Sequence, residues 1–581
     1  MSRTSIIVIG RFFDVPESLF NTCLVGLIAI IVASKLSIRW FRRRRASPTE
    51  EHIKPVWAKS IQFRFLPVFW LVRIAFWMSG PYFYAVYASK TINGEQASTS
   101  LISQIFLVGF AAIALIGPMT GRAFDEYGRK KGTIAATIVY SFGAISTKAS
   151  SAGLLFLGRG LGGIGTSMLS NAPESWLVSE FQSTGLDDGR WLYDTFGLAF
   201  SGDYVAAIIA GQIAGHAAAY RGPTGPFEVS PFFLATGALV ATIFWKENKA
   251  SSNYSSGSNN ISPSVAPSTE DGNTNAVANP NEAAESKRTD PQGELNIEED
   301  DASTDSDSSE DGSIQDALRI VVKDPKIMLV GAIQALFESS MYVFVMQWPP
   351  TLAIEIQQFY RDETVATPYG TVFSCFMACC LIGSTVFSQM ATMGIKSRKS
   401  MTVMLPVASL SLALATYAIW SKESTNKNHL VSLVAAFFTF EACVGMYFPS
   451  IGSLRSQYIP DSHRGLIMTL FGVPLNILVV VVFLFLHKLG STGALGLSTV
   501  ALSLASFCMY ELNKFVEEEA RREQEERRRK SKLRWGKIAT AVRTGTWVPL
   551  YMQESRSNFV SMQGYGVQMS FKSPSASKKK L

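Results

Sequence analysis

Six ionisable side chains stand inside long apolar stretches of this chain: Arg73, Arg159, Glu174, Asp203, Glu338 and Glu441. A charge near the centre of a bilayer costs about 2.5–3.5 kcal/mol even on insertion scales. Such residues persist where they line a polar cavity or neutralise one another. Arginine keeps its charge and presents a planar fork of donors that suits a tetrahedral oxyanion, so Arg159 is the expected anion contact. Asn171, Gln334 and Asn476 add neutral donors in the same kind of surroundings. Four carboxylates face two arginines, so burial is expected to leave some of the four protonated. Glu338 or Glu441 is the expected proton carrier, with Glu174 and Asp203 placed nearer the cytosolic side. The plainer reading of each residue is a structural ion pair or a hydrogen bond between helices. No nucleophile triad, metal-ligand spacing or P-loop is visible. No cofactor and no enzyme activity are expected, and any uphill movement must draw on an ion gradient.

Membrane helices have to position these groups. The 581 residues are 47% hydrophobic and only 17% charged, against about 25% charged in soluble chains. Thirteen apolar runs, the first near 19–38 and the last near 493–512, are each long enough to cross a hydrocarbon core of roughly 30 Å. The sequence predicts an all-α polytopic membrane protein. Its expected parts are an extra N-terminal transmembrane helix with a basic loop (1–62), a six-helix bundle (63–246), a disordered acidic and Ser-rich linker (247–325), a second six-helix bundle (326–512) and a charged tail (513–581). Lys and Arg concentrate in every second connection, which places those connections, the linker and the tail in the cytosol and the N-terminus outside. The net charge of +7 follows from that bias and needs no acidic partner. The sequons at Asn253 and Asn260 fall in the linker and are expected to be unglycosylated. In the tail, Glu517–Arg521, Glu518–Arg522, Glu523–Arg527 and Glu526–Lys530 are i,i+4 pairs of a solvated helix.

One connection is more specific. Gly121-Arg122-Ala123-Phe124-Asp125-Glu126-Tyr127-Gly128-Arg129-Lys130-Lys131 reads as a short basic loop between two apolar runs. It resembles the signature loop of the major facilitator superfamily, G-x-x-x-D-x-x-G-R-[RK]-[RK]. Further strings are Gly158-Arg159-Gly160-Leu161-Gly162-Gly163, Glu174-Ser175-Trp176, Ile333-Gln334-Ala335-Leu336-Phe337-Glu338-Ser339 and Glu441-Ala442-Cys443-Val444-Gly445-Met446-Tyr447-Phe448-Pro449-Ser450. With these, residues 60–512 resemble the molybdate-anion transporter family. The resemblance implies two six-helix bundles of the major facilitator fold and uptake of molybdate or a similar small anion by alternating access. It makes Gly121, Asp125, Gly128 and Arg129 gate residues, with Arg455 at the cytosolic end of its helix. Two positions depart from the family pattern, Phe76 and Gly472, where the family carries charged residues.

Other signals are discounted. Gly158-x-Gly160-x-x-Gly163 matches a dinucleotide fingerprint but opens no βαβ unit, so its glycines are read as close helix contacts, like Gly211 and Gly215. His216 and His487 are read as snorkelling to the interface rather than as ligands. All six cysteines lie in apolar runs and read as small core residues. The expected partners are a small anion and membrane lipid, with no nucleic acid. Rival readings are a carrier of a sugar or other organic solute, favoured by Trp77, Trp348 and the excess carboxylates, and a non-transporting sensor or scaffold. The plasma membrane is the expected location. Lys578-Lys579-Lys580 also fits an endoplasmic reticulum retrieval signal.

Overall fold

The computed structural model describes residues 15–45, 54–185, 189–248, 314–421, 428–460 and 464–543. Fourteen α-helices dominate them: α1 Pro16–Arg45, α2 Val56–Ser79, α3 Phe83–Ala88, α4 Thr99–Tyr127, α5 Arg129–Ile145, α6 Ala152–Thr184, α7 Arg190–Arg221, α8 Gly225–Phe244, α9 Ile314–Lys323, α10 Pro325–Tyr360, α11 Tyr369–Thr392, α12 Ser397–Trp420, α13 Asn428–Tyr458 and α14 Arg464–Arg543. In lipid every backbone polar group must be satisfied internally, which is why apolar runs of this length become helices. Ten stretches are long and apolar enough to cross a membrane. One of them, Arg190–Phe244, contains both α7 and α8, while Leu470–Phe485 is a shorter apolar helix. The described residues up to Leu512 form one compact unit and those from Asn513 to Arg543 belong to a second.

Local chemistry sets the helix ends. Ser98 accepts a hydrogen bond from the Leu101 amide at 3.2 Å and caps α4. Asp324 accepts from the Lys326 amide at 2.8 Å ahead of Pro325, the first residue of α10. Gly80-Pro81-Tyr82 forms a 3-10 turn between α2 and α3, because proline withholds the N–H that a continuous α-helix would use. Asn93 and Gly94, both at positive φ, close a two-residue hairpin between β1 Thr91–Ile92 and β2 Glu95–Gln96. Gly490, at φ 60°, breaks α14 where the sequence predicts a loop between two spans.

Two expectations need correction. The eleven-residue loop from Gly121 to Lys131 is helical except at one residue: α4 runs through Tyr127, α5 starts at Arg129, and Gly128 at φ 113° makes the reversal alone. The linker expected to be unstructured over 247–325 ends in helix α9. There Ala317 is fully buried, while Leu318 and Val322 recur one helical turn apart. Its first residues, Glu247 and Asn248, are also placed by contacts described below. The stretch with Asn253 and Asn260, and the residues Lys578–Lys580, lie outside the described residues.

Small residues set how closely the helices approach. Burial drives no association between helices already in lipid, so close van der Waals packing has to hold them together. A Cβ on Gly165 would meet the Tyr140 backbone, and one on Gly143 would meet Gly162. The helices of 56–244 meet those of 325–512 at a similar crossing. A Cβ on Gly211 would strike Ser374 and the Gly370 carbonyl, and one on Gly370 would strike Gly211 and Gly215. Ser374 Oγ donates to the Ile208 carbonyl at 2.8 Å and accepts from Gln212 Nε2 at 3.1 Å. Tyr82 and Tyr369 meet edge to face at 5.8 Å nearby. On the orientation expected from the Lys and Arg distribution, this contact belongs to the outer end. Gly370→Leu is expected to wedge it open. Thiol labelling of a Tyr82→Cys reporter in a cysteine-free background should then become severalfold faster, and an unchanged rate would contradict this assignment.

Candidate functional site

The buried charges sort into three clusters on different helices. In the first, Arg73 of α2 makes a two-pronged ion pair with Asp203 of α7, Nε to Oδ1 at 2.8 Å and Nη2 to Oδ2 at 2.6 Å. Trp77 Nε1 donates to the same Oδ1 at 2.8 Å. The guanidinium also lies 5.0 Å from the ring centroids of both Phe76 and Trp77. Glu174 of α6 is within electrostatic reach of this pair. The arrangement neutralises Arg73 and holds α2 against α7.

The second cluster joins α10 to α13. Arg455 Nη2 donates to Glu338 Oε1 at 3.1 Å and Arg455 Nε to Gln334 Oε1 at 3.0 Å. Tyr447 donates its hydroxyl to Glu338 Oε1 at 3.0 Å while its ring stacks on Phe337 at 3.9 Å. Both Arg455 and Glu338 side chains are 13% exposed. The structure therefore brings Gln334, Glu338 and Arg455 together. In the third cluster, Glu441 of α13 accepts a hydrogen bond from Cys380 Sγ of α11 at 3.0 Å. Among the described residues no cation pairs with Glu441. Tyr204, next to Asp203 on α7, is within electrostatic reach of both Asp203 and Glu441.

Arg159 stands apart from all three. Its guanidinium carbon lies 4.2 Å from the Phe83 ring centroid and 5.1 Å from that of Phe106. Its Nε is buried without a hydrogen-bond partner. Among the described residues it forms no ion pair. Gly109 leaves the space it occupies, since a Cβ there would sit 2.5 Å from Arg159 Nε. Asn171 and Asn476 are exposed on α6 and α14 and join none of the clusters.

At the gate residues, Gly128 and Arg129 are held by the chain just after α8. The Arg129 amide donates to the Asn248 carbonyl at 3.1 Å. Glu247 accepts from the Lys130 and Lys131 amides at 3.0 and 3.2 Å, so its carboxylate covers free N–H groups at the start of α5. Trp176 stacks on Trp245 at 4.1 Å and donates to the Lys246 carbonyl at 2.9 Å. Gly121 and Asp125 lie in α4, but their side chains are outside what the structure describes. The sequence reading missed Glu247, Cys380 and the partner role of Tyr447. Glu247 had a signal: an acid beside a tryptophan-bearing helix end, within reach of a basic turn.

A family model described as "Sugar-transporters, 12 TM" matches residues 19–271 and 296–440. Among curated proteins the chain is similar to the molybdate-anion transporter of Takifugu rubripes, 27% identical over 478 residues, covering 81% of this chain and 88% of that one. It is similar to the molybdate-anion transporter of Xenopus tropicalis, 26% identical over 504 residues, covering 86% and 95%. Among solved structures, the nucleoside transporter NupG superposes with a TM-score of 0.54 at 10% identity over 78% of this chain and 99% of that one. An auto-inhibited POT family peptide transporter does so at 0.54 and 11% identity over 80% and 97%. At these identities the solved structures bear on the fold, which is that of major facilitator transporters.

Proposed function

The chain belongs to the MFS_5 family of major facilitator transporters, and on that premise we propose that it carries molybdate or a similar small oxyanion across the plasma membrane by alternating access. One observation carries the choice of an anion. Arg73 and Arg455 are each neutralised by a carboxylate, whereas Arg159, half-buried with its Nε fully buried and unbonded, has no such partner among the described residues. A cation left without a counter-ion inside the membrane is expensive, and an anionic cargo supplies the missing charge. The names of the curated relatives agree with that chemistry.

Uptake of a dianion needs a driving force. Moving two negative charges into a cell against about 100 mV costs roughly 4.6 kcal/mol, from about 2.3 kcal/mol per charge. A co-transported proton offsets part of this. Glu338 and Glu441 are the carriers we propose, and the geometry favours Glu441. Glu338 is pinned by Arg455 and Tyr447, so protonating it breaks an ion pair. Among the described residues Glu441 has a thiol as its side-chain hydrogen-bond donor and no paired cation, so it can exchange a proton without that cost.

The test is molybdate accumulation in proteoliposomes of the full chain. Wild type should accumulate molybdate faster when the outside is acidic, and Glu441→Gln should lose that dependence. If uptake ignores the pH gradient in wild type, and Glu338→Gln and Glu441→Gln both transport normally, proton coupling is wrong. The matching family's description favours a second reading, a sugar or other organic solute, with Trp77 and Trp348 as stacking surfaces. Inhibition of uptake by sugars but not by tungstate or sulfate would select it. No accumulation of any solute by correctly inserted protein would point to a sensor.

A further inference from the structure

Beside Arg159 lies a small pocket lined by Ser79, Phe83, Tyr87, Tyr140, Gly158 and Phe227, among others, with room for about one water. Two polar atoms at this pocket are buried without a partner, Arg159 Nε and Ser79 Oγ. Ser79 is fully buried, and Tyr140 and Tyr87 are 4% and 2% exposed. The Tyr140 hydroxyl adjoins Ser79, and both tyrosines are within electrostatic reach of Arg159. A buried donor left unmade costs about 1–3 kcal/mol, so two at one small pocket mark a place where a ligand completes the structure.

The chemistry of the walls limits what that ligand is. The donors are one guanidinium and neutral hydroxyls, the rest is aromatic, glycine or alanine, and no carboxylate lines the pocket. Such a set attracts negative charge and offers hydrogen bonds without adding a competing acceptor charge. Space for a single water is space for a single oxygen. We infer that Ser79 and Tyr140 complete the anion site of Arg159: one oxygen of a tetrahedral inorganic oxyanion enters this pocket and accepts from both hydroxyls, while the guanidinium meets the charge. This rests on the reading that the cargo is an oxyanion, and it adds which residues select it. An ester or a carbon-bearing group at that vertex does not fit. The position is also suited to sense cargo. Tyr87 and Phe106 belong to an apolar cluster that includes Met346, Leu475 and Phe483 from the C-terminal helices, so filling the pocket presses on the seam between the two groups of helices.

The experiment is molybdate binding to the full chain in lipid nanodiscs, by calorimetry, for wild type, Ser79→Ala, Tyr140→Phe and Arg159→Ala. Each hydroxyl deletion should weaken binding about tenfold, the worth of one charge-assisted hydrogen bond. The thermal midpoint of the ligand-free protein should fall little, because these substitutions keep the packing and remove at most the single contact between the Ser79 and Tyr140 hydroxyls. A merely structural role would instead lower the midpoint and leave affinity alone. If Arg159→Ala loses binding while Ser79→Ala and Tyr140→Phe bind like wild type, the oxyanion reading stands and this pocket is not where the oxygen sits. If wild type binds neither molybdate, tungstate nor sulfate, the oxyanion reading fails and the pocket assignment with it.

Discussion

Arg159→Ala abolishes molybdate uptake while leaving the protein folded and at the membrane. The expected loss is about a hundredfold or more, since a guanidinium meeting an oxyanion makes charge-assisted, two-pronged hydrogen bonds in a medium poor in water. The cost to the fold is small for a specific reason. Removing one partner of a buried ion pair strands the other charge, but among the described residues Arg159 has no such partner. What disappears is its contact with the Phe83 and Phe106 rings, worth on the order of 1–2 kcal/mol when desolvated. Arg159→Lys separates charge from shape. Lysine keeps the positive charge but not the planar fork, so uptake should fall between alanine and wild type. The measurement is initial uptake per molecule at the surface, beside a thermal unfolding midpoint for each variant. Normal uptake by Arg159→Ala would remove the anion contact from this helix. A large fall in midpoint would make Arg159 a structural residue.

The helices were legible and the pairings were not. Apolar runs of span length announce themselves because lipid admits no other local structure, and the break at Gly490 coincides with the expected turn between the last two spans. A lone charge in such a run says only that it has a partner somewhere. Nothing local in the sequence separates Arg73, which is paired with Asp203, from Arg159, which is not. The difference arises from how α2 and α7 pack, a property of two segments 130 residues apart. Arg455 was read with the gate, because its position near a helix end resembles an interface anchor. Its helix instead carries it to Glu338 and Gln334. Composition misled at the linker: the acidic, Ser-rich stretch pulled Glu247 into an expected disordered segment, although its carboxylate covers the start of α5. The Asn93-Gly94 turn is readable from its two residues, a pair that favours a two-residue hairpin.

Arg455→Met destabilises the protein far more than Glu338→Gln, and the double replacement Arg455→Met with Glu338→Met recovers most of the loss. The single arginine replacement leaves the Glu338 carboxylate buried beside the Tyr447 hydroxyl and the Gln334 amide but without its cation. Breaking a buried pair from one side costs about 3–5 kcal/mol, because the remaining charge has neither solvent nor partner. Glu338→Gln leaves a cation that still donates to Gln334 and can extend toward the nearby cytosolic end of its helix, so its penalty is smaller. Removing both charges together takes away the desolvation cost along with the attraction, and two methionines fill the space with adaptable apolar atoms. Thermal midpoints of the four proteins in the same detergent form a double-mutant cycle. A large coupling with a recovered double variant assigns the pair to architecture. If the double variant is as unstable as Arg455→Met alone, Arg455 holds α10 to α13 through Gln334 instead. Transport by the double variant adds a second result. If this pair only fastens α10 to α13, uptake survives its removal, and Arg159 and Glu441 remain the groups that move the anion and its proton.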